Sequence, residues 1–534
     1  MQATPLIDRR QLMPTGLGAL AAVLLDRGVG LRAQTPPMRR EVHDPAAAPM
    51  LALYKRAIKE MKTRPVWDPT SWWFQAALHW TPFQNDAFGC YELACFNQLF
   101  QPPAGAGPDV LARIAASRRL VAGDVPIDPR LGIGRDRIWV KCPHRTYDFL
   151  PWHRVYLFFF ERIIENVVGE PFGLPYWNYL DTRFRDFPPP FRPAKESDGS
   201  DNPLFYPDRS PLCRDPSDPS VPAAEKPLIR DQDLNWPTAA EQRFLERGEV
   251  LGLDRGFSFQ LESAPHDQVH GRIGIVVGET PLGMATPALA ARDPIFYLHH
   301  SNLDRLWEWW RTQPAGPEDP PRDPDYIWTQ EPYLFATADI HKTAFTADES
   351  LGMVSRFYAY DTLDPVTAPP PGPVAAVVRA QAAPPAAPTR VGRSGPLTVT
   401  GAPSSTQLAP APQAPAAPDR RAAAAPAESR WFLRLADLNS PSGAGVFDIY
   451  LDPPGAASTE GAPAGSFSLF GTPERTLVPH AGHGAAEKVI EVTPRVRQLI
   501  GRGVNPAEVR ITVTPNRSSG ASTVRIGQME LFSR

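Results

Sequence analysis

Cysteine is scarce: four residues in a chain of 534. That count excludes a disulfide-built scaffold and leaves room for one or two bridges, or for special chemistry. The cysteines form no C-x2-C pair, so the usual thiolate cage for structural zinc is absent as well. An excess of basic charge is also missing. Lys and Arg total 55 against 58 Asp and Glu, for a formal net charge of -3. No nucleic-acid partner is expected from such a balance. Long apolar runs are lacking too. The stretch Leu17–Leu25 is too short to cross a bilayer, and no later segment reaches that length without charges, so no membrane span is expected. No repeat of fixed period runs through the chain.

Proline, by contrast, is abundant at 64 residues and unevenly spread. Composition divides the chain into four zones. Residues 1–33 read as a signal peptide: D-R-R-Q-L-M (Asp8–Met13) resembles a twin-arginine signal, with small residues and a cleavage point near Ala33. Export by that route carries folded proteins, so a periplasmic or secreted location is expected. Residues 34–362 are rich in Trp, Phe and Tyr. Residues 363–429 contain no Trp, Tyr, Phe, His or Cys and read as a Pro/Ala linker. Residues 430–534 alternate apolar and polar residues in short runs such as V-F-D-I-Y-L and V-R-I-T-V-T, the pattern of a small antiparallel β domain.

Within the aromatic zone, Val155–Val168 is apolar on most faces and reads as a buried helix. Ser301–Trp310 reads as another, starting after His299 and His300. The Pro-rich stretches Phe187–Pro222 and Pro314–Pro324 read as surface loops. Six histidines fall into two groups: His79, His144 and His153, then His266, His270 and His300. Three neutral imidazoles make a compact site for copper, zinc or iron, and two triads suggest two ions side by side. His266 and His270 are spaced i,i+4, on one face of a helix. The H-E-x-x-H signature of zinc proteases is absent. All-imidazole triads suit copper.

Several segments resemble the tyrosinase and polyphenol oxidase family of type 3 copper proteins. P-H-R-T-Y-D-F-L-P-W-H-R (Pro143–Arg154) is similar to the first copper motif, and D-P-I-F-Y-L-H-H-S-N-L-D-R-L-W (Asp293–Trp307) to the second. S-W-W-F-Q-A-A-L-H (Ser71–His79) and P-H-D-Q-V-H (Pro265–His270) resemble the segments that carry the remaining ligands. F-Y-A-Y-D (Phe357–Asp361) resembles the tyrosine signature closing the catalytic domain. The C-terminal zone, with V-F-D-I-Y (Val446–Tyr450) and A-G-S-F (Ala464–Phe467), resembles the lid of latent members.

The resemblance implies a mainly α catalytic domain, an antiparallel four-helix bundle around a dicopper site, and a small all-β, sandwich-like C-terminal domain. It implies copper A on His79, His144 and His153, and copper B on His266, His270 and His300, with dioxygen as co-substrate and small phenols as substrates. Glu262 matches a glutamate that holds a water near the metals. Asp267 stands where strong monophenolases have asparagine, which leaves phenol hydroxylation open beside oxidation of o-diphenols. Phe296, His299 and Asp304 are implied as neighbours of the ligands, Asp304 orienting an imidazole or pairing with Arg305. Gly271 and Pro287 are placed at the pocket mouth. Cys142, two residues before His144, matches the fungal-type position for a thioether bond to that histidine. The pairing of Cys90, Cys95 and Cys213 stays open. The resemblance further implies that the C-terminal domain inserts a side chain into the site until an activating protease or mild denaturation releases it. Leu469 and Phe470 are the candidates. His480 and His483 read as surface residues. Two other readings compete: a haemocyanin-like dioxygen-binding protein, and a two-zinc hydrolase.

Overall fold

The computed structural model describes residues 36–79, 100–122, 138–139, 142–234, 244, 246–250, 253–314, 332–365, 389–411, 429–457, 459–471, 486–516 and 522–533. The signal segment, Cys90, Cys95, His480, His483 and most of Pro314–Pro324 lie outside the described residues. The chain folds as a helical core followed by a β-rich region. Among the described residues no helix is long and apolar enough to cross a membrane.

Several helices build the first part, among them the following five. Helix α1 (Ala48–Met61) buries Leu51, Tyr54, Ala57, Ile58 and Met61, a helical stripe turned to the core. Helix α2 (Trp72–His79) is buried along nearly its whole length. Helix α3 (Phe149–Val168) buries fifteen of its side chains and stops at Gly169, whose left-handed φ of 74° closes it. Helix α4 (Asp267–Ile273) is short and fully buried. Helix α5 (Ile295–Arg311) differs from the sequence expectation, because it begins before the His299–His300 pair. Asp293 and Pro294 are its start signal. The Asp293 carboxylate accepts the Ile295 N–H at 3.0 Å, and Pro294 supplies a pre-set φ. Both histidines therefore ride inside a rigid helix.

The stretch Phe187–Pro222 holds only short 3-10 turns among loops. It is more than a surface loop, since Phe187, Phe191, Leu204 and Leu212 enter the core, and buried Arg209 grips Asp293 through two bonds of 2.8 and 2.6 Å.

A buried charge cluster ties the helices together. Asp304 on α5 accepts from Arg154 of α3 at 2.5 Å, from Arg39 at 3.0 Å, and from the Tyr358 and Tyr360 hydroxyls at 2.6 Å each. Arg39 also holds Glu161 of α3 through two bonds of 2.9 Å. The expectation that Asp304 orients an imidazole or pairs with Arg305 is corrected here. Consecutive helix residues point about 100° apart, and Arg305 turns instead to Asn302, Asn178 and the carbonyl of Asp364. Two-residue strands Met38–Arg39 and Ala359–Tyr360 pair in parallel, so the beginning and end of this part meet at the same cluster.

The second part is built from strands β1 (Thr389–Arg393), β2 (Leu397–Thr400), β3 (Ser404–Gln407), β4 (Ala409–Pro410), β5 (Trp431–Leu438), β6 (Val446–Asp452), β7 (Gly465–Ser468), β8 (Ala486–Glu491), β9 (Arg510–Pro515), β10 (Thr523–Ile526) and β11 (Gln528–Ser533), with helix α6 (Thr493–Gly501). One sheet runs β3-β9-β6-β7 and the other β4-β1-β11-β5-β8, with β2 paired to β10. Every pairing is antiparallel. Leu433, Leu435, Ile449, Ile511 and Leu531 from the two sheets share one core. Four of these strands fall in residues 389–411, inside the segment expected to be linker. The reason is local. L-T-V-T alternates, so Leu397 and Val399 reach the core while the threonines face out. Averaged composition concealed that pattern.

The β domain sits on the helical part through buried ions. Arg230 donates to Asp448 at 2.6 and 3.0 Å, and Arg272 reaches Asp233 at 2.7 Å and Asp448 at 3.2 Å. Ser466 of β7 donates to Asp233 at 2.9 Å, and Gln268 donates to the Ser466 carbonyl at 3.1 Å.

Replacing Asp304 by Ala removes the carboxylate shared by Arg39 and Arg154, leaving them only Glu161 and Glu308; breaking such a buried pair costs about 3 kcal/mol, read as a lower denaturation midpoint. Burial alone would raise the Asp304 carboxyl, but Arg154 and Arg39, with the two tyrosine hydroxyls, hold it below the usual carboxylate value. A depressed carboxyl contributes fully above its unfolded value and loses that contribution as pH falls through its folded value. Wild type is therefore expected to lose more stability than Asp304→Asn between neutral and acid pH.

Candidate metal centre

Both histidine groups converge. His79, His144 and His153 present ring nitrogens within 4.8 Å of one another, as do His266, His270, His299 and His300. Helices α2, α3 and α5 supply His79, His153 and His300, while His266 and His270 flank the first turn of α4. His144 lies in the loop before α3. Its position is fixed by backbone bonds, from Cys142 N–H to the His79 carbonyl at 3.0 Å and from His144 N–H to the Cys142 carbonyl at 2.9 Å. The groups meet where His153 and His300 stack at 4.3 Å with an interplanar angle of 8°.

The second ring nitrogens explain the orientations. Nδ1 of His79 donates to the Pro287 carbonyl at 3.1 Å, that of His153 to the Phe149 carbonyl at 2.7 Å, and that of His270 to the Met284 carbonyl at 3.1 Å. His266 Nδ1 lies 3.0 Å from the Asp267 carboxylate. A carbonyl can only accept, so Nδ1 carries the proton and Nε2 presents its lone pair. Nε2 of His79, His153 and His266 is buried without a hydrogen-bond partner. Nε2 of His270 and of His300 face each other at 3.4 Å. Burial is the main force lowering the pKa of these imidazoles, to about 3 for His270, and well below the ordinary value for His79, His153, His266 and His300. They are neutral at physiological pH, the state that binds a metal. Orphaned, neutral, converging nitrogens are the donor set that a pair of borderline-soft cations requires.

His299 shares the second cluster. One nitrogen lies 3.1 Å from the Tyr179 hydroxyl, and the other is buried without a partner. Phe296 packs edge-on against His79 at 4.6 Å and lies 4.3 Å from His300. The Glu262 carboxylate accepts the Arg145 N–H at 2.9 and 3.0 Å, and burial raises its pKa against the lowering effect of Arg145. Asp267 receives Arg145 and, at 2.8 Å, Lys488 from strand β8. Burial pushes the Asp267 carboxyl up, but those two cations outweigh it and hold it well below the usual range. Cys142 Sγ lies 3.6 and 3.5 Å from the two ring nitrogens of His144. Buried Cys213 is a free thiol.

Two mouth assignments change. Pro287 is buried and its carbonyl serves His79, so it packs against the first triad and does not stand open at a mouth. It opens a short helix at a position where proline loses no bond. The space beside Gly271 is filled: a Cβ there would lie 2.4 Å from Val446 Cγ2 and 3.0 Å from Ser468 Oγ. The two lid candidates separate. Leu469 belongs to the β core. Phe470 stacks on His270 at 4.1 Å and 17°, and meets His266 at 5.5 Å and His144 at 5.8 Å edge-on.

Sequence reading missed Lys488, Tyr179, Arg145 and Phe149. Phe149 packs 4.8 Å from both His153 and His266. Arg145 and Phe149 lie inside the quoted motif and could have been found there; Lys488 and Tyr179 carry no local signal.

Residues 69–313 match the common central domain of tyrosinase. Residues 389–534 match a domain of unknown function, DUF7868. A tyrosinase from Hahella sp. is 30% identical over 285 residues, covering 51% of this chain and 52% of that protein. A chloroplastic polyphenol oxidase of Vicia faba is 29% identical over 250 residues, covering 41% and 37%. The chain thus spans about half the length, or less, of these curated relatives. The structure of latent apple tyrosinase shares the fold, with a TM-score of 0.53 at 20% identity over 94% of this chain and 98% of that one. Residues 69–313, which hold both histidine clusters, thus carry the common central domain of tyrosinase, and the chain is similar to tyrosinases and polyphenol oxidases.

Proposed function

We propose that the protein is a latent polyphenol oxidase that uses two copper ions and dioxygen to oxidise o-diphenols to o-quinones. The observation that carries this reading is the convergence of two histidine groups, in which Nε2 of His79, His153 and His266 is buried and unpartnered among the described residues. His79, His144 and His153 would hold copper A; His266, His270 and His300 would hold copper B, within the antiparallel bundle of α2, α3, α4 and α5. The copper pair would supply dioxygen activation and accept the diphenol's electrons. Two diphenols give up four electrons and four protons in all, and one dioxygen becomes two waters.

The chain's own residues bind and deprotonate the phenol. Its ring takes the position of Phe470, flat on His270. Glu262, a buried carboxylate with a raised pKa, holds a water and takes up a proton at its free lone pairs. Asp267 anchors His266 through Nδ1. Hydroxylation of monophenols is a second activity that this base would support. Phe296 and His299 hold the ligand rings from behind. Cys142 is positioned for a thioether to the carbon between the two nitrogens of His144, from which its sulfur is nearly equidistant. Such a bond, formed with dioxygen taking up the two hydrogens lost, would lock the one ligand that lies on a loop.

The β domain acts as the lid, with Phe470 as plug. Its tether, residues 366–388, is the site where an activating protease would cut. The twin-arginine-like segment Asp8–Met13 supports a location in the periplasm or outside a bacterial cell.

His270→Ala or His300→Ala is expected to lose one copper per chain by elemental analysis and to abolish oxygen uptake with catechol. Full copper content and turnover in either variant would sink the assignment, and zinc in place of copper would point to a hydrolase. Cleavage within residues 366–388 is expected to raise oxygen uptake sharply. Phe470→Ala should do so in the uncut chain, and so should Gly271→Val, whose added carbons collide with Val446. Equal uptake before and after cleavage would keep the oxidase and discard the lid. No uptake in either state, with copper present, would favour a dioxygen carrier.

A further inference from the structure

Behind the first histidine group a file of oxidisable rings runs outward through the helical part. Trp152 of α3 meets the His153 ring edge-on at 4.9 Å and the His79 ring at 6.3 Å. Tyr156, one helical turn on, lies 5.1 Å from Trp152. Tyr297 of α5 lies 5.8 Å from Tyr156, and Trp72 of α2 lies 5.6 Å from Tyr297. These four rings are buried, and Trp73, the neighbour of Trp72 in the chain, is partly exposed. We propose that Trp152, Tyr156, Tyr297, Trp72 and Trp73 form an electron relay that drains oxidising equivalents from the metal centre to the surface when dioxygen arrives without a diphenol, and so spares the ligand histidines. This rests on the oxidase reading and adds a protective function to it.

Three observations support it. First, the file consists of indoles and phenols, the rings that most readily give up an electron. Phe149, Phe296 and Phe470, which also pack on the histidines, resist oxidation. Among the described residues Trp152 is the oxidisable ring in that shell, and it opens the file. Second, two buried hydroxyls stand where phenylalanines would fill the space without burying polar groups. Tyr156 O–H donates to the Gln75 carbonyl at 2.5 Å. Its single hydrogen is thereby used, so Tyr297 O–H donates to the Tyr156 oxygen at 3.1 Å. Burial pushes both phenols above their ordinary range, so each keeps its proton until an electron leaves. Third, the outer end is cationic. Trp72 N–H donates to the Arg292 carbonyl at 3.2 Å, the Arg292 guanidinium lies 5.3 Å from the Trp73 ring, and Lys62 lies 5.8 Å from that of Trp72. An anionic one-electron donor such as ascorbate suits that end.

In each hop one ring passes an electron inward and regains one from its outer neighbour; no bond between heavy atoms forms or breaks. While Tyr156 lacks an electron, its proton rests on the Gln75 carbonyl. While Tyr297 lacks one, its proton sits on the Tyr156 oxygen and that of Tyr156 stays on Gln75. Both return when Trp72 supplies the electron. Four electrons from the donor and four protons from solvent turn one dioxygen into two waters.

The test adds hydrogen peroxide to the copper-loaded full chain without a phenol. Electron paramagnetic resonance of frozen samples is expected to show an organic radical that narrows with ring-deuterated tyrosine or tryptophan and that ascorbate removes. Trp152→Phe and Tyr297→Phe are expected to lose that signal and to gain oxidised ligand histidines, read by peptide mass spectrometry, with the initial turnover of catechol unchanged. Trp73→Phe is expected to lengthen the radical's life in ascorbate. Tyr297→Phe removes a single oxygen, so it decides the matter if Trp152→Phe fails to fold. Radical and histidine oxidation at wild-type levels in Tyr297→Phe overturn this inference and leave the rings as packing. Absence of any radical in a wild type that oxidises catechol overturns it too, and the oxidase reading stands. Failure of every variant and of wild type to oxidise catechol, with copper present, overturns the oxidase reading and this inference with it.

Discussion

The geometry of the centre depends on the pairing of Arg154 with Asp304. Arg154 follows His153 on α3, and Asp304 lies one turn beyond His300 on α5. Their 2.5 Å contact fixes the two long helices in register. Once they are fixed, the His153 and His300 rings can stack at 4.3 Å across the junction of the two triads. Arg39 extends the clamp to Glu161, and the Tyr358 and Tyr360 hydroxyls complete the carboxylate's bonds. Breaking such a pair costs several kcal/mol, although forming it gains little over a hydrophobic substitute. Its value is specificity: it makes one packing of α3 against α5 far better than its neighbours.

A second buried ion network has the opposite task. Arg230, Arg272, Asp233 and Asp448 join the helical part to the β domain. Among the described residues one apolar cluster spans the two parts, and it is small: Val276, Ala285 and Ala444. A hydrophobic face of useful size would aggregate once uncovered. Charged and polar groups would regain water if the parts separated, which makes a polar seam compatible with the proposed lid. Burial raises the Asp233 carboxyl to about 6 against the lowering effect of Arg230, a measure of how dry this polar seam is. Gly271 contributes by omission, because any side chain there would meet Val446.

The legible parts of the molecule were those with local signals. The histidine triads, the i,i+4 pair and the apolar run of α3 are written in short windows, and the structure brings all six histidines to two clusters. Errors arose where the information is long-range or was averaged away. The start of α5 was set after the His299–His300 pair, although Asp293–Pro294 upstream is a helix start signal. The strands in residues 389–411 were hidden because alanine and proline dominate the surrounding composition, while alternation over four residues defines β2. The partners of Asp304 lie up to 265 residues away, and Lys488 is 221 residues from Asp267. No window joins them; only the packed fold does.

Phe470 shows how far local pattern reaches. Along G-S-F-S-L-F, successive side chains point to opposite faces of an extended chain. Phe467 and Leu469 enter the β core. Ser466 and Ser468 face the other way, Ser466 to Asp233 and Ser468 to the space beside Gly271. Phe470 continues that second series, the phase whose other members are polar. An aromatic ring there gains nothing from the β core and must find its apolar surroundings outside its own domain. It finds them on His270. The alternation alone therefore separates Phe470 from Leu469, once one residue of the run is known to face inward. Its target, in contrast, is set by the seam: the ion pairs of Asp448 and the hydrogen bond from Ser466 to Asp233 fix where the sixth residue of this run must land.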